Sequence, residues 1–344
     1  MSSTATITST RIEDQLEWDA FVETQTEANF LHSWQWGVFN ESMNKTIDRI
    51  GFVRNNRIIG VCLFVIERAR RASYITVAGG PLLDWSDGEV TTYFFQYARD
   101  LAKTQGCSFV RIRPQVTDSP SIRGVFQAAG LRLSPMHLSA DLTSQLALNT
   151  SEDELLAAMR KSTRYEVRKA QKLGLHVSAT REAADIDEFY EVQLETAKRQ
   201  QFVPFSRSFL QKQFEAFLDG DHVVLFRAYH EKKLLALAFV IYYGQEAVYH
   251  YGASTEAGRA YPGAYLIQWE AIREAIRRGC SRYNFWGVTA PGVNDRRFSS
   301  ISLFKRGFGG EDVAYLPAHD LVVSPARYAL NYMIESIRHR VRKL

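Results

Sequence analysis

Cysteine is scarce in this chain, and what there is does not pair. Cys62, Cys107 and Cys280 stand singly in or beside strand-like runs, with no CxxC pair and no HExxH. That argues against a disulfide framework or a structural zinc site and places the thiols in a core. No run of about 18 apolar residues occurs, so no membrane-spanning helix is expected. The opening MSSTATITSTRIEDQ has no basic segment leading into an apolar one, and a soluble, cytoplasmic protein is the expectation. Also missing are a G-x-S-x-G elbow, a GxxxxGKS/T phosphate loop, a GxGxxG after a strand, and a convincing nucleophile with its base. These absences favour a reaction that needs neither metal nor covalent enzyme intermediate. Amide formation from an activated ester is one: the enzyme aligns amine and ester, accepts charge on the carbonyl oxygen and lets a proton leave.

What is present points to a two-domain chain with a local concentration of charge. At 344 residues, 46% hydrophobic and 23% charged, the chain can bury a large core and divide in two. The net charge is only +4, yet Met159 to Gly174, MRKSTRYEVRKAQKLG, is densely basic. Wound as a helix at about 100° per residue, it gathers Arg160, Lys161, Arg164, Arg168 and Lys172 into a sector of roughly 120°, with Met159, Ala170 and Leu173 opposite. Arg forks suit phosphate and carboxylate, so the stripe is a candidate anion site, although a solvated surface also explains such a face.

The order of elements repeats. Helices are expected over Ile12 to Thr24 and Trp34 to Met43, strands over Arg57 to Ile66 and Ala72 to Val77, then a helix Val90 to Thr104 and a strand Ser108 to Arg113. In the second half, helices are expected at Ala184 to Gln200 and Ser206 to Leu218. Strands follow at Val223 to Tyr229, Leu235 to Tyr243 and Ala247 to Tyr251, then the helix Ala264 to Arg278 and the strand Arg282 to Trp286. Both copies end strand, helix, strand, and the basic helix falls between them. A final strand Leu321 to Val323 and helix Pro325 to Leu344 cannot stand alone and must dock on one of the halves.

Two further segments carry chemistry. After the strand ending in Tyr249 and Tyr251, the loop Arg259 to Gly263 opens a helix whose free amides could hold an anion; a Pro-Gly turn explains it equally well. Asn294 to Gly310, NDRRFSSISLFKRGFGG, interleaves Arg296, Arg297, Lys305 and Arg306 with Phe298, Phe304 and Phe308. Cations alternating with rings suit a single-stranded RNA end; phenylalanines in a core beneath solvated cations are the other reading.

KSTRYEVRKAQKLG (Lys161 to Gly174), HYGAS (His250 to Ser254), LIQWEAI (Leu266 to Ile272), RYNFWGV (Arg282 to Val288) and LFKRGFGG (Leu303 to Gly310) resemble the FemABX family of peptidoglycan-bridge aminoacyltransferases. FLHSWQWGVF (Phe30 to Phe39) and GGPLLD (Gly79 to Asp84) resemble its N-terminal motifs. The resemblance implies an α/β chain of two tandem GNAT-like domains, residues 1–148 completed by 317–344, and residues 149–316, with the C-terminal helix returning to the first. It implies transfer of an amino acid from aminoacyl-tRNA to the stem-peptide amine of a peptidoglycan precursor, either UDP-MurNAc-peptide or lipid II. No cofactor is expected beyond the tRNA co-substrate, and no metal. A monomer in peripheral contact with the inner membrane face is expected. Carried over by residue, Lys161, Arg164, Tyr165, Arg168, Trp36, Asn40 and Tyr251 would hold the precursor. Lys305 and Phe304 would form the transfer centre, with Arg296, Arg297, Lys305 and Arg306 on the tRNA. Two positions depart from relatives: Asn40 replaces a frequent lysine, and Arg113 stands before Pro114 where some members carry an acid. The coiled-coil arm of some members has no counterpart. A GNAT-type N-acyltransferase using acyl-coenzyme A, and a non-catalytic RNA-binding module, are the competing readings.

Overall fold

A computed structural model describes residues 6–69, 72–293 and 299–342. The chain forms two compact units, one of residues 1–141 with 314–344 and one of residues 142–313.

The first unit starts with β1 (Thr8–Arg11), α1 (Gln15–Val22), α2 (Trp34–Ser42), β2 (Thr46–Arg54), β3 (Arg57–Arg68), β4 (Ser73–Gly79) and β5 (Leu82–Leu83). It continues with α3 (Gly88–Thr104), β6 (Phe109–Pro114), α4 (Pro120–Ala128) and β7 (Arg132–Leu133). The second unit holds β8 (Leu142–Ala147), α5 (Glu152–Ala158), α6 (Lys161–Lys172), β9 (His176–Thr180), α7 (Ile186–Gln200) and α8 (Arg207–Leu218). Then come β10 (Val223–His230), β11 (Lys233–Tyr243), β12 (Glu246–Ser254), α9 (Gly263–Arg277), β13 (Arg282–Gly287), α10 (Ser299–Arg306) and β14 (Glu311–Ala314). The chain closes with β15 (His319–Val322) and α11 (Pro325–Arg342).

In the first unit the sheet order is β1-β2-β3-β4-β6-β15-β7, with β5 on β3. Helix α3 begins where the Asp87 carboxylate accepts from the amides of Glu89 and Val90. Its buried side, Val90, Phe94, Phe95, Ala98 and Ala102, meets Phe52, Phe64, Ile75, Val77 and Val110 of the sheet in one core. Strand β15 adds antiparallel to β6, so the end of the chain returns to the first unit. A buried ion pair fixes it there: Arg111 on β6 donates two hydrogen bonds to Asp320 on β15, at 2.8 and 2.9 Å, and a third to Glu335 on α11. Removing one partner of such a pair costs about 3–5 kcal/mol, because the other charge stays buried.

The second sheet runs β14-β8-β13-β12-β11-β10-β9. Strand β8 pairs with β13 through Arg282↔Ala147, so the second unit begins at Leu142, ahead of the 148/149 division read from sequence. The near-continuous apolar runs of β10 and β11 belong to strands covered on both faces, and α9 supplies one cover through Leu266, Ile267, Ala271, Ile272 and Ala275. The basic segment is two helices in part. Met159 ends α5 in an extended conformation, and α6 starts only at Lys161, so Arg160 lies outside the stripe's helix. Thr163, Val167 and Ala170 form the buried side of α6. Leu173, expected on that side, is 42% exposed because the helix has ended and Gly174 turns the chain with φ +71°. The three cysteines are free and buried, as the sequence led us to expect.

Candidate active site

In the second unit, β12 and β13 are parallel neighbours that pair only at Glu246↔Arg282, Ala247↔Tyr283 and Val248↔Asn284. A buried carboxylate pins that end: Glu246 accepts from Arg282 at 3.1 Å and from Asn284 at 3.0 Å. Beyond it both strands carry a bulge. His250 is skipped in the β11–β12 register, and the β8–β13 register shifts between Asn284 and Gly287, where Trp286 takes φ +64°. Such bulges bend a strand, and the two strands part. The His250 and Trp286 rings meet edge to face with centroids 6.0 Å apart. Gly252 lacks a side chain for a steric reason: a Cβ there would fall 1.7 Å from the Tyr249 hydroxyl.

A cleft of about 560 Å³ opens beside the parted strands, within the usual range for a small-molecule site. Its walls come from β11 and β12, the start of α9, the end of α7 with the following loop, and α10. Tyr249, His250, Gln268, Arg199, Phe304 and Lys305 supply much of its chemistry. Phe202 and Val203, 40% and 87% exposed, add an apolar lip. Arg199 is held in place by donating to the Ser254 carbonyl and hydroxyl, each at 2.9 Å.

Lys305 is the most unusual group in the wall. It is 8% exposed, and its ammonium donates to the Gly287 carbonyl at 2.7 Å, spanning from α10 to the end of β13. It sits 5.9 Å from the centre of the Tyr249 ring. No carboxylate is hydrogen-bonded to it among the described residues, and burial alone pushes its pKa down to about 7. Desolvation likewise lifts the Tyr249 phenol to about 12 and lowers the His250 imidazole to about 3, so both are neutral near pH 7. Lys305 is therefore the cleft's adjustable charge: an anion in the cleft would favour its protonated form.

Phe304 packs edge to face on Tyr265 at 4.9 Å and on Phe308 at 5.4 Å, which orients α10 against α9. The glycines after it permit close packing. A Cβ on Gly307 would fall 2.2 Å from the Thr163 hydroxyl of α6, and one on Gly310 would fall 2.7 Å from the Gln145 carbonyl of β8. The Gly307 carbonyl also accepts from the Arg160 amide at 2.9 Å. LFKRGFGG is thus the segment that joins the start of the basic helix to the cleft wall.

The structure sorts the expected site residues. Phe304 and Lys305 come together in the cleft. Lys161, Tyr165 and Arg168 lie exposed along α6, in the second unit but outside the cleft lining. Arg164 is not free for a ligand in the same way, since it donates to the Leu156 and Ala157 carbonyls at 3.2 and 2.7 Å and so closes the end of α5. Tyr251 does not line the cleft: its ring packs on Phe205, Phe239 and His250. Arg306 is committed to Asp312 and to the Thr289 carbonyl, so its charge is neutralised within the loop. Arg296 and Arg297 lie outside the described residues. Trp36 and Asn40 are on α2 of the first unit. Asn40 is buried and its amide donates to the Trp36 carbonyl one turn earlier, so the side chain is turned back onto its own helix. Arg113 is wholly buried, stacked on Tyr315 and bonded to Gln115 and the Ala140 carbonyl.

His250, Arg199 and Gln268 were not singled out as site residues in the sequence. His250 stands inside HYGAS, but a bulge depends on the register of the neighbouring strand; nothing in the sequence of α7 marks Arg199.

The loop before α9 is closed against the sheet. A Cβ on Gly258 would fall 2.0 Å from the Leu235 carbonyl, one on Gly263 would meet Leu235 and Ala228, and Arg259 pairs with Glu256.

Parallel strands joined by a helix that crosses between them, β4-α3-β6 in the first unit and β12-α9-β13 in the second, define a tandem GNAT-like protein. Solved structures agree on the fold. A structure described as FemX superposes with TM-score 0.86, 17% identity and coverage of 94% of this chain and 99% of that one. A tandem GNAT protein from the clavulanic acid pathway gives 0.57, 11% identity and coverage of 92% and 99%. The FemAB family model matches residues 12–122, 126–233 and 224–336, and the chain belongs to the FemAB family. The aminoacyltransferase FemA of Staphylococcus aureus is 30% identical over 96 residues, 28% of this chain. The match spans only 23% of the length of that relative.

Proposed function

We propose that the protein transfers an amino acid from aminoacyl-tRNA to the stem-peptide amine of a peptidoglycan precursor, as an aminoacyltransferase of cell wall synthesis. The observation that carries the reading is Lys305: a buried amine on the wall of a cleft of about 560 Å³, beside Phe304, in a chain of this family. The RNA terminus and its ester enter the cleft, where the ring of Phe304 offers a stacking face. The acceptor amine attacks the ester carbonyl carbon, and negative charge develops on the carbonyl oxygen. The Lys305 ammonium stabilises that oxyanion. The carbon–oxygen bond to the ribose then breaks, the ribose oxygen takes a proton, and the amine's surplus proton leaves to substrate or water.

Lys161, Tyr165 and Arg168 on the exposed face of α6 hold the anionic precursor, with Arg164 bracing α5 beneath them. Arg296 and Arg297 complete the tRNA contact. No cofactor beyond the tRNA takes part. The protein works as a cytoplasmic monomer in peripheral contact with the membrane; no helix among the described residues is long and apolar enough to cross one. The test mixes purified protein with charged tRNA pools and either the soluble or the lipid-linked precursor, then reads product mass. A residue-sized increase supports the reading and identifies the amino acid; an unchanged precursor with every pool rejects it.

A further inference from the structure

Helix α11 docks on its unit by its polar side. Tyr328, Asn331 and Glu335, spaced at i, i+3 and i+7, form that side: Tyr328 donates to Asp320 at 3.1 Å and Glu335 accepts from Arg111 at 2.8 Å. At 3.6 residues per turn the opposite side carries Leu330, Met333 and Ile337, and these are 55%, 54% and 54% exposed. An ordinary surface helix turns its apolar stripe inward, and here the stripe faces out. Exposed Arg327 and Arg338 run along one edge of it. Glu335 is the only acid between Pro325 and Leu344, and it is turned inward onto Arg111, which it shares with Asp320. The final residues, RHRVRKL, add further positive charge and no acid.

We propose that the outward side of α11 lies on an anionic lipid surface, with Leu330, Met333 and Ile337 in the acyl boundary and the arginines among the headgroups. An apolar stripe edged by cations on a helix tied down from behind is the pattern of an interfacial helix. A second copy fits the stripe less well, since an antiparallel twofold contact between two such faces brings arginines against arginines. The inference gives the membrane contact of the proposed function a surface. Vesicle binding and transfer to a soluble precursor are read separately, so either can fail alone.

The experiment sediments the full-length protein with vesicles of phosphatidylcholine alone and of phosphatidylcholine with phosphatidylglycerol. Binding is expected only with the anionic vesicles, weakening as salt shortens the screening length. The triple variant Leu330→Gln, Met333→Gln, Ile337→Gln, which leaves the inward side intact, should bind about tenfold more weakly at unchanged melting temperature. Arg327→Gln with Arg338→Gln should weaken binding about threefold or more. Absence of binding to anionic vesicles, or equal binding by the triple variant, overturns the proposal. So does a dimer that the triple variant dissolves while no vesicle binds, which would assign the face to a second copy.

Discussion

The two units share a strand–helix–strand connection with parallel strands and use it in opposite ways. In the first, β4 and β6 stay paired from Ile75↔Val110 to Gly79↔Pro114. There the opening falls between β3 and β4, which pair only from Val65↔Thr76 to Arg68↔Ser73, and side chains fill it. His32 bridges the two strands, accepting from the Leu63 amide at 2.9 Å through Nε2 and reaching the Ala78 carbonyl at 3.2 Å through Nδ1. Asn29 donates to the Gly79 carbonyl at 2.8 Å. Cβ atoms on Gly79 or Gly80 would lie 2.1 Å from Asn29 or His32, so the two N-terminal motifs meet as a filled seam. In the second unit, β12 and β13 part after three registers, the His250 and Trp286 rings meet edge to face beyond the split, and the cleft opens beside it. The same scaffold is closed where it holds the chain together and open where a ligand can enter.

That contrast breaks most readily at His32. His32→Ala leaves the Leu63 amide and the Ala78 carbonyl buried without their partner and should cost about 3 kcal/mol in denaturant unfolding. His250→Ala, at a cleft wall, should cost clearly less; equal losses would erase the distinction. Acid titration sharpens it further. Burial holds the His32 pKa at about 4 against an ordinary 6.5, so the unfolded chain binds the proton first. His32 therefore contributes stability that is full above about pH 6.5 and disappears towards pH 4, on the order of 3 kcal/mol, and His32→Gln should flatten that slope in urea melts at a series of pH values.

Lys305 reverses the relation between stability and function. Lys305→Ala should slow transfer roughly a hundredfold, the scale of one lost oxyanion donor. Its folded pKa of about 7 lies below the ordinary 10.5, so stability should rise with pH between those values, and Lys305→Met should melt no lower than wild type at pH 7. Transfer should decline as pH rises past the lysine's pKa in the loaded enzyme, whereas Lys305→Arg should show no such decline, because guanidinium stays charged. The smallest effects belong to the exposed helix face. Arg168→Ala should weaken precursor binding about threefold to tenfold in calorimetry with tRNA affinity unchanged, and coenzyme A at micromolar concentration should leave the melting temperature where it was.

Much of this architecture was legible in the sequence because it rests on local periodicity. The runs of β10 to β13 and the helices α3 and α9 follow from their apolar spacing, and the repeated strand–helix–strand order follows from them. Strand β2 escaped because TIDRIGFVR mixes Asp48 and Arg49 into a buried strand, with Arg49 stacked 3.7 Å over the Trp34 ring; that pairing is tertiary. Helix α4 escaped although Ser119 caps it and Pro120 opens it. The break between α5 and α6 carries no glycine or proline. Phe304 and Lys305 stand in the family motif, whereas Arg164, Asn40 and Arg306 turn onto carbonyls and a carboxylate mostly within the same stretch of chain, a choice of side-chain conformation that residue spacing does not reveal.

In the proposed reaction the open cleft of the second unit receives the aminoacyl end of tRNA. The most direct test is an RNA end bearing a photoreactive aminoacyl group on its 3′ terminus, irradiated with the protein and mapped by peptide mass. Label is expected in the segments 196–205, 249–254 and 300–305, and reduced by competing charged tRNA. Label confined to the first unit, or undiminished by that competitor, would contradict the account.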